Sequence, residues 1–125
     1  MNWKLATAYL LLLLLVACTG AAVGETAVSN DPVALGRRLY VPACAGCHGE
    51  QGEGYVSAVP APALNSSGTL WQQTDQQIYD WIADGKLDGD NPMPGNSNQF
   101  TDDQIWAIVA YLHTLWSEEQ QAAQP

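Results

Sequence analysis

Apolar residues recur at helical spacing in residues 101–116, where they predict a long amphipathic helix. Thr101 precedes the segment and Gln104 follows three residues later, which is the capping-box pattern of a helix start. The apolar stripe consists of Ile105, Ile108, Val109, Leu112, Leu115 and Trp116. Because positions with this spacing share one face of a helix, we expect the segment to pack against a core.

Two earlier segments predict two further helices. Residues 74–85 open with a second capping box, formed by Thr74 and Gln77, and end at a glycine, a natural helix terminator. The first helix begins near Asp31, a helix-capping residue, and Pro42 is expected to stop or bend it. The chain is therefore predicted to be all-α, with three main helices.

The segments between these helices show no strand-like alternation. SAVPAPALNSSG (57–68) and LDGDNPMPGNSNQ (87–99) are rich in proline, glycine, asparagine and serine, which favour loops. Loops this long are uncommon in a small domain, so we expect them to wrap around a large bound group. The predicted core consists of Leu39, Tyr55, Leu64, Leu70, Trp71, Trp81, Ile82, Ile108 and Leu112.

The chain is strongly acidic, with 13 acidic and 4 basic residues and a formal charge of −9. Nucleic-acid binding requires a basic surface, so this composition argues against a nucleic-acid partner. The predicted folded segment, residues 31–116, is also short for a self-sufficient hydrophobic core. A bound group that adds apolar bulk is therefore expected.

Residues 1–17 have the layout of an export signal peptide. MNWKLATAYLLLLLLVAC places Lys4 before an apolar run and small residues, and its last four letters resemble the bacterial lipobox, in which the cysteine carries the lipid. We therefore expect Cys18 to be lipidated and to anchor the protein at the extracytoplasmic, periplasmic face of a bacterial membrane. An uncleaved membrane anchor and ordinary signal cleavage are the alternatives, and both also place the domain outside the cytoplasm.

The segments that flank the predicted domain are expected to lack stable structure. Residues 18–30 are small and polar and should form a flexible tether, and residues 117–125 should form a frayed polar tail. Removal of residues 1–17 takes away Lys4 and no acid. The remaining chain then has three basic residues against 13 acidic ones, a formal charge of −10.

Residues 44–48 read CAGCH, and four kinds of site use some of these residues. A zinc site needs four ligands, usually two such cysteine pairs, whereas this chain offers one pair with His48 and His113. A thioredoxin-like centre requires a βαβ pattern that is missing here. A disulfide leaves His48 and the following glycines without a role. Haem attachment uses all of them, because two thiols bond the haem vinyl groups and the histidine binds the iron.

The other axial position of the iron has few candidate ligands. Met93 lies between Pro92 and Pro94 and is the only methionine besides Met1. Flanking prolines restrict the backbone and lower the entropy lost when one side chain is held in place. His113 is the alternative, but its position in the last helix is typical of a partly exposed helix residue. A thioether ligand favours ferrous iron, and a six-coordinate iron suits electron transfer better than substrate binding.

Over residues 31–116 the sequence resembles the class I c-type cytochromes, which are small monohaem electron carriers. CAGCHGEQGEG (44–54) matches the family pattern CxxCHGxxGxG, and DGKLDGDNPMPG (84–95) matches the loop that carries the methionine ligand. PAL (62–64) resembles the family's Pro-x-Leu, and IVAYLHTLW (108–116) resembles its closing helix. The resemblance implies a class I cytochrome c fold, with three main helices and long loops around one covalently bound haem c.

The resemblance also implies roles for single residues. Cys44 and Cys47 would carry the haem, and His48 and Met93 would be the axial iron ligands. The glycines Gly49, Gly52 and Gly54 would let the backbone pass close to the haem face and adopt positive φ.

Two further residues are expected near the haem. The Pro62 carbonyl would accept a hydrogen bond from His48 and orient its ring, with Pro60 as the weaker candidate. Trp71 would either pack in the core or donate its indole N–H to a haem propionate. Neither residue would bind the iron itself.

The implied function is electron transfer without catalysis, by a free carrier or by a subunit of a respiratory or photosynthetic complex. Expected partners are redox proteins, namely a quinol-oxidising complex, a terminal oxidase or a reaction centre, together with the membrane through the lipid anchor. No small-molecule substrate is expected. The alternative is a haem enzyme or gas sensor with a labile sixth ligand. Residues 54–74 and 92–101, which surround the haem edge in the family, carry no charge and should form the contact patch.

Overall fold

Residues 30–125, which the computed structural model describes, fold into five helices connected by long loops. The helices are α1 (Pro32–Ala43), α2 (Ala45–His48), α3 (Asp75–Asp84), α4 (Asp102–His113) and α5 (Glu118–Ala123), with a 3₁₀ turn at Leu70–Gln72. A short antiparallel ribbon pairs β1 (Gly85–Lys86) with β2 (Met93–Pro94). The predicted helical fold is confirmed, whereas the sequence pattern did not predict the ribbon.

The three predicted helix starts are formed by local hydrogen bonds. At Thr101 the capping box is complete, since Gln104 Oε1 accepts from the Thr101 amide at 3.0 Å and Thr101 Oγ1 accepts from the Gln104 amide at 3.4 Å. The side chains of Asp31 and Thr74 each accept a bond from an amide of their own first turn, at 3.1 and 3.2 Å. These bonds satisfy amides that a helix start leaves without intrahelical partners.

Pro42 lies inside α1, which continues to Ala43. A proline has no N–H to donate to the Arg38 carbonyl four residues earlier, so one internal bond of the helix is missing there. The Cys44 amide then donates to the Tyr40 carbonyl at 2.8 Å. The helix thus extends one residue beyond the proline that the sequence predicts to stop or bend it, and it ends directly at the CAGCH segment.

Helix α1 packs against α4, and Gly36 permits this close approach. A Cβ added at Gly36 would overlap the backbone carbonyl of Ala107, so a larger residue would force the two helices apart. One turn further along α1, the rings of Tyr40 and Tyr111 lie 5.2 Å apart in a tilted pair. This crossing fixes the end of α1, and therefore the start of the CAGCH segment, against the longest apolar stripe of the chain.

The hydrophobic core lies among α1, α3 and α4. Of the residues that the sequence predicts for the core, Ile82, Ile108 and Leu112 are buried, and Leu39, Leu64, Leu70 and Trp71 pack against the core half-buried. Trp81 is also half-buried. The prediction for Tyr55 is wrong, because its side chain is 69% exposed and its backbone has a φ of 55°. It follows a glycine in a loop whose turn directs the ring outward.

The expectation of a frayed tail is also wrong. Ser117 and Gln120 form a second complete capping box, and it begins α5. Gln120 Nε2 donates to the Ser66 carbonyl at 3.0 Å, and Gln124 Nε2 donates to the Gln73 carbonyl at 3.1 Å. Polar side chains therefore attach the final helix to the loop that precedes α3.

The signal peptide predicted for residues 1–17, the lipidation predicted at Cys18 and most of the predicted tether lie outside the described residues. Within residues 30–125, none of the helices combines the length and the apolar character needed to cross a bilayer.

Candidate functional site

A cavity of about 580 Å³ brings together residues from four separate parts of the chain. Cys44, Cys47 and His48 line it from the end of α1 and from α2, Pro62 lines it from the first long loop, and Met93 lines it from β2. The apolar remainder of its wall includes Leu64, Leu70, Ile78, Ile82, Ile108 and Leu112. The volume lies within the range of roughly 300–1,000 Å³ that is typical of small-molecule and cofactor sites.

His48 is oriented by a backbone carbonyl. Its Nδ1 lies 2.9 Å from the Pro62 carbonyl oxygen, and its side chain is nearly buried at 8% exposure. A carbonyl can only accept, so Nδ1 donates, and in the neutral imidazole the lone pair is then on Nε2. An imidazole held in this way by a carbonyl has the arrangement typical of a metal-binding histidine. Pro60 also lines the cavity, but it is not the residue that accepts this bond.

Backbone hydrogen bonds fold the loop after His48 tightly. The Gly54 amide donates to the His48 carbonyl at 2.7 Å, and the buried Tyr40 hydroxyl donates to the Gly49 carbonyl at 2.7 Å. Burial raises the pKa of Tyr40, so its hydroxyl keeps the proton it donates. These bonds tie the loop to α1 and limit how far His48 can move.

The structure gives a different reason for a glycine at position 54 from the one that the sequence suggested. Gly54 has a φ of 68°, and a Cβ there would overlap the backbone of Ala63. The expected positive φ is therefore confirmed. The close approach that excludes a side chain is to the segment beside Pro62, which this glycine allows to reach His48.

The two cysteines are adjacent to the cavity and are not joined to each other. Burial raises the pKa of the Cys44 thiol to about 11, and the neighbouring Cys47 adds to this shift. A free Cys44 thiol is therefore protonated at neutral pH. Within residues 30–125 no three His, Cys, Asp or Glu side chains are grouped as a metal site would need, so the zinc alternative lacks ligands there.

Met93 is held at the cavity by more than its flanking prolines. In the ribbon it pairs with Lys86, and Pro94 pairs with Gly85. Gly85 has a φ of 89°, and a Cβ there would lie 2.6 Å from the Met93 carbonyl oxygen. The ribbon thus needs a glycine at the end of α3 to bring Met93 into place.

Asn96 is a positioning residue that the sequence analysis missed. Its side-chain Nδ2 lies 3.3 Å from the Ile82 carbonyl oxygen and 3.2 Å from the Pro94 carbonyl oxygen. Its backbone N–H donates to the Ala83 carbonyl at 3.0 Å. These bonds attach the methionine loop to the last turn of α3. An asparagine in a loop carries no signal of such distant partners, because they are set by the return of the chain to α3.

Trp71 and His113 lie away from the cavity. The Trp71 indole N–H donates to the Gly68 carbonyl at 3.1 Å, and the ring packs against the core without lining the cavity. This position corresponds to core packing and leaves the indole N–H engaged within its own loop. His113 Nε2 lies 2.7 Å from Asp75 Oδ1, and the His113 ring stacks on Trp116 at 4.6 Å.

The rim of the cavity differs in charge between its two loops. In the first loop the exposed side chains Tyr55, Val56 and Val59 form an uncharged surface that reaches the cavity at Val59. At the start of the second loop, Asp88 Oδ2 lies 2.9 Å from Nζ of Lys86 in β1. The hydrogen bond from Lys86 lowers the pKa of Asp88, so the Asp88 carboxylate is charged at neutral pH.

The donor groups at the cavity fit a covalently attached haem. The thiols of Cys44 and Cys47 have the sequence spacing at which two cysteines bond to the two haem vinyl groups. The imidazole of His48, whose Nδ1 is engaged by Pro62, shares the cavity with the thioether of Met93. The apolar wall matches the faces of a porphyrin, and the cavity is large enough for a flat cofactor. Fold and site together define a haem-binding protein of the c type.

Residues 33–116 match the family model described as Cytochrome c. The match covers more than half of the chain, so this protein belongs to the cytochrome c family. Membership implies one covalently bound haem c, and Cys44 and Cys47 have the spacing of its CxxCH attachment motif. The fold class predicted from the sequence is thereby confirmed.

Two similar proteins illustrate the range of this family. The chain is 29% identical over 93 residues to the Cbb3-type cytochrome c oxidase subunit CcoP of Azospirillum sp. (strain B510), with coverage of 71% of this chain and 30% of that protein. The chain thus spans less than a third of this relative. The crystal structure of cytochrome CL from the marine methylotrophic bacterium Methylophaga aminisulfidivorans MPT is similar at a TM-score of 0.58 and 25% identity, covering 77% of this chain and 67% of that chain.

Proposed function

We propose that this protein is a membrane-tethered carrier of single electrons whose haem iron is bound by His48 and Met93. The observation that carries the proposal is the cavity itself. His48, with Nδ1 engaged by Pro62 and Nε2 free, shares this cavity with the methionine that the ribbon holds in place. An iron bound on both faces has no open position for a substrate, which suits electron exchange.

The residues of the site each have a defined task in this proposal. When bound, the haem supplies an iron that alternates between the ferric and ferrous states. Cys44 and Cys47 hold the porphyrin covalently, and the Pro62 carbonyl keeps His48 in one tautomer and one ring orientation. The ribbon and Asn96 keep Met93 at the cavity in both states, which limits the structural change that accompanies each electron.

Partner contact is proposed at the uncharged rim formed by Tyr55, Val56 and Val59. These side chains are exposed and Val59 lines the cavity, while more than half of the acidic residues within residues 30–125 lie on the helices. A small uncharged contact within an acidic surface suits a transient encounter with a basic redox partner. The similarity to an oxidase subunit supports a terminal oxidase among the partners, alongside a quinol-oxidising complex or a reaction centre, and supports a role either as a free carrier or as a subunit.

Carbon monoxide tests the proposal against the alternative of a haem enzyme or gas sensor. The reduced protein at neutral pH is expected to show little or no spectral change with carbon monoxide, because Met93 occupies the position that the gas needs. Optical titration of the full chain with the dissolved gas measures this. Rapid and complete binding would contradict the electron-carrier proposal and favour the alternative.

The membrane tether is proposed to be a lipid on Cys18. The support is the sequence LVAC after an apolar run, since this part of the chain lies outside the described residues. Mass spectrometry of the mature protein is expected to find Cys18 as the first residue, with an added mass of acyl chains. An intact Met1 would indicate an uncleaved anchor, and a first residue beyond Cys18 would indicate ordinary cleavage.

A further inference from the structure

Lys86 occupies a position beside Met93 that the proposed function does not use. The two residues face each other across the β1–β2 ribbon, and cross-strand partners project to the same side of a ribbon. Both line the cavity. Among the described residues that line it, Lys86 is the only lysine or arginine.

The Lys86 ammonium is held at the rim by two neighbours. Its Nζ lies 2.9 Å from Asp88 Oδ2 and 5.5 Å from the centre of the Trp81 ring, which also lines the cavity. The long stem of a lysine packs on apolar surface while its charge stays near water. A charge held by two contacts keeps a defined distance from the cavity.

Two carboxylates, those of Asp88 and Asp90, also line the cavity near Lys86. The Asp88 side chain is 77% exposed, whereas that of Lys86 is 42% exposed. Water screens the more exposed charge more strongly, and a charge beside an apolar wall acts at a lower effective dielectric constant. Lys86 therefore offsets part of the negative field of the two carboxylates, and its removal would leave them without a neighbouring positive charge at the cavity.

We propose that the positive charge of the Lys86 side chain raises the reduction potential of the haem and so favours the ferrous state. The proposal rests on the proposed haem ligation by His48 and Met93. Reduction adds one electron from a redox-protein donor to ferric iron and removes one positive charge from the site, with no bond formed or broken. A fixed positive charge nearby disfavours the ferric state more than the ferrous state, because only the ferric centre carries the extra charge.

Three variants of the full haem-loaded chain test this proposal. Lys86→Gln removes the charge and keeps most of the side chain, and Lys86→Arg restores the charge at the same position. Arg38→Gln is the matched control, because it removes the same charge from the exposed side of α1, outside the cavity lining. Equilibrium redox titration gives the potential of each, and the methionine–iron absorption band of the oxidised protein reports whether the ligand is retained.

We expect Lys86→Gln to lower the reduction potential, Lys86→Arg to return it most of the way to the wild-type value, and Arg38→Gln to shift it less than Lys86→Gln does. The methionine band should persist in all three. Equal shifts for Lys86→Gln and Arg38→Gln would overturn the proposal, and so would loss of the band in Lys86→Gln, which would show that the residue acts only by holding the ribbon. Absence of the band in the wild type would instead contradict the ligation by Met93.

Discussion

Replacement of Met93 by alanine is expected to change the iron from a low-spin, six-coordinate state to a high-spin or water-ligated one. The alanine side chain cannot reach the iron, and no other methionine lies within residues 30–125. The reduction potential should fall, by on the order of 0.1 V or more within the span of about 0.8 V that axial ligands cover. Optical and magnetic spectra with redox titration measure both effects.

The same variant should bind carbon monoxide in its reduced form, in contrast to the wild type. His113→Ala is the control, because His113 is bonded to Asp75 and does not line the cavity. It should leave the iron spectrum unchanged. A changed spectrum in His113→Ala together with an unchanged one in Met93→Ala would show that the ligand has been assigned to the wrong residue.

Replacement of Cys44 by serine is expected to yield mainly protein without covalent haem and with little stable tertiary structure. The cavity of about 580 Å³ would then lack its occupant. The apolar side chains that line it would then face water instead of packing on the cofactor, and a domain of marginal stability tolerates little such loss. Water that enters the cleft would not replace the apolar contacts with Ile82, Ile108 and Leu112.

Circular dichroism and thermal unfolding of the purified Cys44→Ser protein measure the effect, and haem staining after denaturation reports covalent attachment. Cys18→Ser is the control, since it makes the same chemical change outside the described domain and should retain the haem. A Cys44→Ser protein that lacks haem, yet is as helical and as stable as the control, would contradict the idea that the haem completes the core.

Local patterns in the sequence were sufficient to predict the helices and the attachment motif. The starts at Asp31, Thr74 and Thr101 depend on hydrogen bonds within three residues, so neighbouring letters determine them. The CAGCH motif likewise contains both thiols and the histidine in five consecutive residues. Met93 was identifiable as a candidate because the chain offers so few alternatives.

Predictions failed where long-range contacts override local pattern. Tyr55 has the character of a core residue, but the glycine loop that lets Pro62 reach His48 turns its ring into solvent. Residues 118–123 look like a polar tail, yet glutamines bonded to distant carbonyls attach this helix to the fold. The glutamines bond to carbonyls about 50 residues earlier, and Pro62 lies 14 residues after His48, so a short local window contains neither pair.

The sequence by itself therefore determined the class of cofactor, the CxxCH motif and the helical framework. Only the tertiary structure decided that Pro62 rather than Pro60 accepts the bond from His48, and that the Trp71 indole bonds within its own loop. The tertiary structure also shows that Lys86 pairs with Met93 and that Asn96 hydrogen-bonds to the end of α3. The physical reason is that hydrogen bonds and charges between distant residues depend on how the chain returns to itself, and a linear pattern does not specify that return.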